Sequence, residues 1–441
     1  MVRKSRRDQE NSGKKTKEEH KSFELLSIKL GNADIDIIKH HIFILIGLSI
    51  LTKLAILFIT PAIFHSFVDY FDLGFYFEHA VKLLDGQLPY VSYSFEYPVL
   101  LFVPVIIALI PALIFQSALA FVYTFQLLMI LCDIVTILCI YLVALKIWNE
   151  KTAFVAGLLY ATAFSTAYFV LTKYDAFPTC LLMLAILFTV YGMNIKGYLA
   201  AGLGFFTKIF PVIAFPFLIL HNTKKSSLKD EILAVLKVMV PLSLILMIPI
   251  LIVRPDAVRT SLFASGGSVS VYANTLTYTV YLWLSGVFHI GIGIEGISIV
   301  MYILMGISML CLLYYAYIDG EKKPDSLLKS LLCALIAVII FTKFHSPQYI
   351  VWFTPLLCLL VADDIYKILM FYAVQVFGYI EFPLMFGSFY TNPEYTNPAG
   401  SGGWYLTLIF FTLQYLVLFV LVAAIVSPRG SLRKLIGNKT T

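Results

Sequence analysis

Charge is what this sequence has least of. Only 13% of its 441 residues are Asp, Glu, Lys or Arg, while 60% are hydrophobic; soluble domains carry about 25% charged residues. Mean hydropathy is +0.88, and apolar runs long enough to cross a bilayer recur along the chain. An all-α polytopic membrane protein is therefore expected, and a soluble enzyme is excluded. Cysteine is also sparse. The six cysteines (Cys132, Cys139, Cys180, Cys311, Cys333, Cys358) all fall in apolar runs, without the spacing of a disulfide framework or a zinc site. They read as small packing residues. No Gly-rich phosphate loop or nucleotide-binding fingerprint occurs, so a nucleotide-linked substrate has no visible site and no cofactor is expected.

The net charge of +6 does not point to nucleic acid. The excess lies in the N-terminal tail (Arg3, Lys4, Arg6, Arg7, Lys14, Lys15, Lys17), at Lys224-Lys225 and Lys322-Lys323, and in the C-terminal tail. These mark cytoplasmic segments and put both termini inside. The tail 1–41 reads as basic and partly disordered, 42–426 as a transmembrane domain and 427–441 as a second basic tail. The first run, Ile42–Phe64, lies too late in the chain for a cleaved signal peptide. Further runs are Val99–Phe115, Ala118–Trp148, Phe154–Leu171, Pro178–Met193, Gly197–Leu220, Ile232–Val253, Ile292–Ile318, Leu327–Phe341, Tyr349–Ala362, Ile365–Met385 and Trp404–Val426. External loops are expected at 63–98 and 254–285. Charge placement admits two topologies. Either both Val99–Phe115 and Gly197–Leu220 cross, or the first stays at the outer interface while the second turns back on itself at Lys208. The second is preferred and gives about twelve helices, within a range of 11–13.

Polar residues outside the basic segments then collect on the outer face. Asp72 opens an amphipathic helix with Leu73, Phe77, Ala80 and Leu84 on one face and Glu78, Lys82 and Asp85 on the other. Gly86 closes it. Asp72 reads equally as an N-cap and as a general base for a hydroxyl. Asp69 reads as a solvated loop residue before it is read as a ligand. Glu78 with Lys82 is an i,i+4 pair, and Glu96, ahead of Pro98, has the chemistry to orient a sugar hydroxyl. Lys173 and Asp175 read either as an ion pair with each other or as functional groups. Lys208, within Gly204-Phe-Phe-Thr-Lys-Ile-Phe-Pro211, must snorkel or meet an anion. Lys343 with His345 forms a third basic cluster suited to phosphate, although a lone histidine is more often structural. Cations facing carboxylates at one membrane surface suggest a lipid-linked phosphate.

Four segments resemble, in order, a known family. Asp72-Leu-Gly-Phe-Tyr76, with Ala80, Leu84, Gly86, Pro89-Tyr90 and Phe95-Glu-Tyr-Pro98, is similar to the first external loop of polyprenyl-phosphate-mannose-dependent mannosyltransferases of the GT-C superfamily (glycosyltransferase family 87-like). Lys173-Tyr-Asp-Ala-Phe-Pro178 resembles their second external loop, Gly202–Pro211 their hydrophobic Lys-x-x-Pro turn, and Ser346-Pro-Gln-Tyr349 a late-loop motif. The resemblance implies a GT-C-type bundle and inverting transfer of mannose from a polyprenyl or dolichyl phosphate to a glycolipid or glycan hydroxyl on the extracytoplasmic face. Asp72 matches the family's base. Asp69, Tyr76, Glu96, Lys173, Asp175, Lys208, Lys343, His345 and Gln348 are the expected substrate-binding residues. Two departures stand out: Pro98-Val99 replaces the family's Pro-Pro, and no Asp-x-Asp occurs, so no metal is expected. The alternative function is a transporter or flippase of a lipid-linked sugar, which would carry internal repeats with paired broken helices. A structural membrane subunit is a third option.

Overall fold

A computed structural model of the protein describes residues 35–64, 69–257, 270–319, 322–386 and 402–427. The readings made for both tails, for 67–68 and for most of the 390–403 loop lie outside the described residues. Two units divide at Met1–His41 and Ile42–Thr441; in the first, only the opening of helix α1 is described.

The helices in chain order are α1 (Ile35–Phe64), α2 (Phe71–Leu84), α3 (Phe102–Phe115), α4 (Ala118–Ile147), α5 (Glu150–Ala161), α6 (Phe164–Thr172), α7 (Ala176–Val190), α8 (Asn194–Phe205) and α9 (Ala214–Asn222). They continue with α10 (Leu228–Leu246), α11 (Ile248–Val253), α12 (Leu276–Tyr281), α13 (Ile294–Ile318), α14 (Pro324–Phe341), α15 (Ile350–Val361), α16 (Ile365–Tyr379) and α17 (Trp404–Val426). Among the described residues no strand forms, apart from an isolated bridge between Pro89 and Tyr93. Six helical segments are long and apolar enough to span a bilayer, or seven if α5 and α6, bent by 57° at their break, cross as one. The chain is an integral, multi-pass membrane protein.

The expectation of about twelve helices already left Val99–Phe115 at the interface and turned 197–220 back at Lys208, and the structure divides other apolar runs as well. Phe206–Ile209 makes the break in 197–220, Thr162-Ala163 breaks 154–171, and Met247 divides α10 from α11. Helix α3, 14 residues after a short turn at Val99–Leu101, rises about 21 Å, short of the ~30 Å hydrocarbon core. The segment 254–285, expected as loop, holds α12 and continues into a π-helical stretch at Leu282–Val287.

The hairpin at 197–220 forms. Tyr198, near the start of α8, takes a 2.9 Å hydrogen bond on its hydroxyl from Asn222 at the end of α9, so the two arms meet at the ends away from the turn and Lys208 lies at the turn. Tyr198 also donates to Glu231 of α10 at 2.5 Å. Gly204 makes the turn possible. A Cβ there would come within 3.0 Å of the Pro211 side chain, closer than side chains normally pack.

Helix α1 is mostly lipid-facing, and buried polar groups fasten it to α4. Lys53 Nζ lies 2.6 Å from Asp133 Oδ2 and 2.7 Å from Ser49 Oγ, and the serine donates to the same carboxylate at 3.0 Å. All three are almost fully buried. Breaking such a pair on one side strands a charge in apolar surroundings, at a cost of about 3–5 kcal/mol, whereas replacing both partners is close to neutral. Lys53→Leu is therefore expected to lower the thermal unfolding temperature in detergent sharply, and Lys53→Leu with Asp133→Leu to recover most of the loss. Equal stability of the single variant and the wild type would show that the pair does not hold α1.

Candidate functional site

Helix α2 carries the first wall of the site. Leu73, Tyr76, His79 and Ala80 are buried, packed against Phe121 and Phe125 of α4 and against Tyr174. Leu84, expected on this face, is exposed, because it sits in the last turn beyond the reach of α4. Gly86 ends the helix at φ +73°, a conformation that glycine adopts at little cost. Glu78 and Lys82 pair at 2.7 Å.

Asp72 is not the cap. The helix begins at Phe71, and it is Asp69 Oδ1 that accepts the Phe71 N–H at 2.9 Å. This Asx turn just ahead of the helix leaves Asp72 in the first turn, facing a cavity of about 1320 Å³. Asp69 is accordingly no solvated loop residue: Lys173 Nζ stands 2.8 Å from Asp69 Oδ2 and 3.1 Å from Asp72 Oδ1. The space between the two carboxylates is taken by an ammonium group. Among the described residues no cluster of three His, Cys, Asp or Glu side chains could hold a metal ion. Tyr76, expected to touch substrate, lies behind the site instead, fully buried, with its hydroxyl 3.4 Å from Asp72 Oδ2. Burial pushes the Asp72 carboxyl above its ordinary 3.8; Lys173 opposes this, and Asp69 and Asp175 add to it.

Lys173 and Asp175 do not pair with each other. The break between α6 and α7 sends Lys173 to α2, while Asp175 turns to the hairpin. Lys208 Nζ sits 2.6 Å from Asp175 Oδ1, which also accepts the Trp352 indole N–H at 2.5 Å. Tyr174, Trp352 and Tyr349 present ring faces to this ammonium at 4.6, 5.2 and 5.7 Å, a favourable setting for a partly desolvated cation. Asp175 is fully buried and lies off the cavity wall, so it supports Lys208 and does not touch a ligand directly. Phe210 stacks on Trp352 at 4.1 Å. The Leu100 N–H donates to Phe206 O at 2.8 Å, tying the segment that carries Glu96 and Tyr97 to the hairpin.

The cavity is lined by Asp69, Asp72, Glu96, Lys173, Lys208, Lys343 and Gln348, so seven of the expected residues converge. His345 is not among them. It is buried with Nδ1 3.4 Å from the Tyr415 hydroxyl, and its carbonyl accepts from Asn274. Burial holds its pKa below the usual value, which favours a neutral ring unsuited to pairing with phosphate. The same knot extends from Asn274 to Glu381 at 2.7 Å and fixes the segment bearing Lys343, whose carbonyl accepts from the Tyr272 N–H. A second wall is apolar and exposed: Ile209 and Val212 at the hairpin tip and Tyr302 of α13, beside Val338 and Ile339 of α14. These side chains give the cavity an apolar border between the hairpin, α13 and α14.

No family model and no curated protein matches this chain. The site therefore rests on its geometry.

Reading the sequence missed Tyr97, Tyr168, Tyr272, Trp352 and Phe382, all of which line the cavity. Trp352 carried a signal, one turn beyond Ser346-Pro-Gln-Tyr349. Tyr97 carried one too, inside Phe95-Glu-Tyr-Pro98; Tyr168, Tyr272 and Phe382 have none, since aromatics are common throughout this chain. Asp133 and Lys53 were hidden as single charges inside long apolar runs.

The raised Asp72 pKa has a consequence for stability. Between its ordinary value and its folded value, the folded state holds a proton that the unfolded state has released, so stability falls as pH rises through that window. Asp72→Asn is expected to raise the unfolding temperature at pH 7 relative to wild type, with the gain vanishing below about pH 4. A gain that persists in acid would mean that Asp72 ionisation is not the cause.

Proposed function

We propose that this protein transfers a sugar, mannose being favoured, from a polyprenyl or dolichyl phosphate carrier to a glycolipid or glycan hydroxyl, with Asp72 as general base. What carries the reading is one cavity with carboxylates and lysines on one wall and exposed apolar side chains, which we read as its opening onto lipid, on the other. A lipid-linked phosphate sugar has matching parts: an apolar chain for the opening, an anion for Lys208 and Lys343, and a polyol for Glu96, Gln348 and the tyrosines. The four sequence segments that resemble the mannosyltransferases supply Asp72, Glu96, Lys173, Lys208 and Gln348 of its lining.

In the reaction the acceptor oxygen attacks the anomeric carbon and its proton passes to an Asp72 oxygen. The bond from the anomeric carbon to the phosphate oxygen breaks, and the polyprenyl phosphate leaves with the electron pair. Attack opposite to the leaving group inverts the anomeric centre. Lys208 and Lys343 stabilise the charge that develops on the phosphate. Burial keeps Asp72 more basic than an ordinary carboxylate, which suits a base.

The orientation belongs to the same proposal. Lys224 Nζ donates to Lys322 O at 3.4 Å, so these lysines share one end of the bundle. Lys343 lies at the other end of α14, 18 residues long and about 27 Å in rise. With Lys224 and Lys322 cytoplasmic, the cavity faces outward. A membrane-impermeant amine reagent is expected to modify Lys82 in sealed cells and Lys225 only after permeabilisation; the reverse pattern would overturn the orientation.

Asp72→Asn is expected to lower transfer from labelled polyprenyl phosphate mannose by about 10²–10⁴-fold while leaving the protein folded in detergent. Full activity would sink the assignment. Labelled product formed in detergent, where there are no compartments, excludes a pure carrier.

A further inference from the structure

Two features of Asp69 are unexplained by capping or by ligand binding alone. Its two oxygens do different things: Oδ1 closes the first turn of α2 through the Phe71 N–H at 2.9 Å, and Oδ2 holds Lys173 at 2.8 Å, closer than Asp72 does at 3.1 Å. Its own N–H is fixed by the Tyr168 hydroxyl at 3.1 Å. One carboxylate therefore sets both the backbone that carries Asp72 and the cation that lies beside it.

We propose that Asp69 is a positioning residue for Asp72, sharing Lys173 so that the ammonium is not committed to the base. This rests on the reading of Asp72 as base. An Asp72 paired with Lys173 alone would be a strongly stabilised carboxylate, slow to accept a proton. With the ammonium held between two carboxylates, Asp72 keeps its basicity. When it takes the acceptor's proton and loses its charge, Lys173 still has Asp69 as counterion, so no lone cation is left in a buried place. The other groups around Asp72 are Tyr76 on its own helix, Glu96 and Tyr97 from the segment before α3, and Asp175 beyond Lys173. None of these contacts Lys173 as a competing counterion within salt-bridge distance among the described residues.

Asp69→Asn is the decisive variant. Asparagine makes the same Asx turn through its side-chain oxygen, so the turn survives while the charge that holds Lys173 is lost. In infrared titration of the purified protein, the carboxyl band of Asp72 is assigned as the one absent from Asp72→Asn. Its midpoint is expected to fall by about one pH unit or more in Asp69→Asn, since Lys173 is then Asp72's alone, and to rise in Lys173→Gln. In the detergent assay with polyprenyl phosphate mannose, the acid limb of kcat moves to lower pH in Asp69→Asn and the plateau drops several-fold, with KM little changed. A residue that merely shapes the loop would lower activity without moving the limb. An unchanged or raised midpoint in Asp69→Asn overturns the proposal. If Asp72→Asn transfers sugar at full rate, the transferase reading falls, but the infrared midpoints still decide how Asp69 and Lys173 act on Asp72.

Discussion

A charge buried in an apolar bundle has to be met by an opposite charge, and this constraint arranges most of what is distinctive here. Lys53 meets Asp133 in the middle of the membrane domain, Lys208 meets Asp175 at the hairpin turn, and Lys173 meets Asp69 and Asp72 at the mouth of the cavity. Each pairing joins elements far apart in sequence. Together they fasten α1 to α4, the 206–209 turn to the α6–α7 break, and that break to α2. Apolar packing alone is weakly directional among lipid-exposed helices, so these polar contacts fix how the helices are rotated against one another.

The same pairings make the site. The hairpin tip brings Lys208 to the cavity because Asp175 and the Trp352 indole give it a fixed partner and aromatic neighbours. The break after α6 brings Lys173 to α2. Polar groups are thus presented at one end of the bundle on short, sharply turned segments held by long helices.

Sequence alone carried the site residues further than it carried their partners. Asp72, Lys173, Lys208 and Lys343 were legible because charge is costly in so apolar a chain, and any such residue near a span asks for a reason. The i,i+4 pair of Glu78 and Lys82 and the closure of α2 at Gly86 were legible because they depend on spacing within one helix. Lys173 with Asp175 misled for the converse reason. Nearness in sequence suggested an ion pair, but the turn between α6 and α7 separates them, and each finds a partner that only tertiary packing decides. The turn that opens α2 was assigned to the wrong carboxylate: Asp69, in an Asx turn, accepts the Phe71 N–H, and Asp72 lies inside the helix facing the cavity. The break at Phe206–Ile209 was legible from Lys208 and Pro211 within one apolar run, whereas the break at Thr162-Ala163 carries no such signal.

The cavity lining balances its charges, with Asp69, Asp72 and Glu96 against Lys173, Lys208 and Lys343. Balanced charges cast little field beyond a Debye length, about 8 Å at physiological salt. The site therefore has no long reach into the water on its side and cannot draw in an anion by steering. On the function proposed above, the donor would be collected from the bilayer instead. How often the cavity is filled would then be governed by the two-dimensional abundance of that lipid and its lateral diffusion, and ionic strength would matter little until the headgroup has arrived.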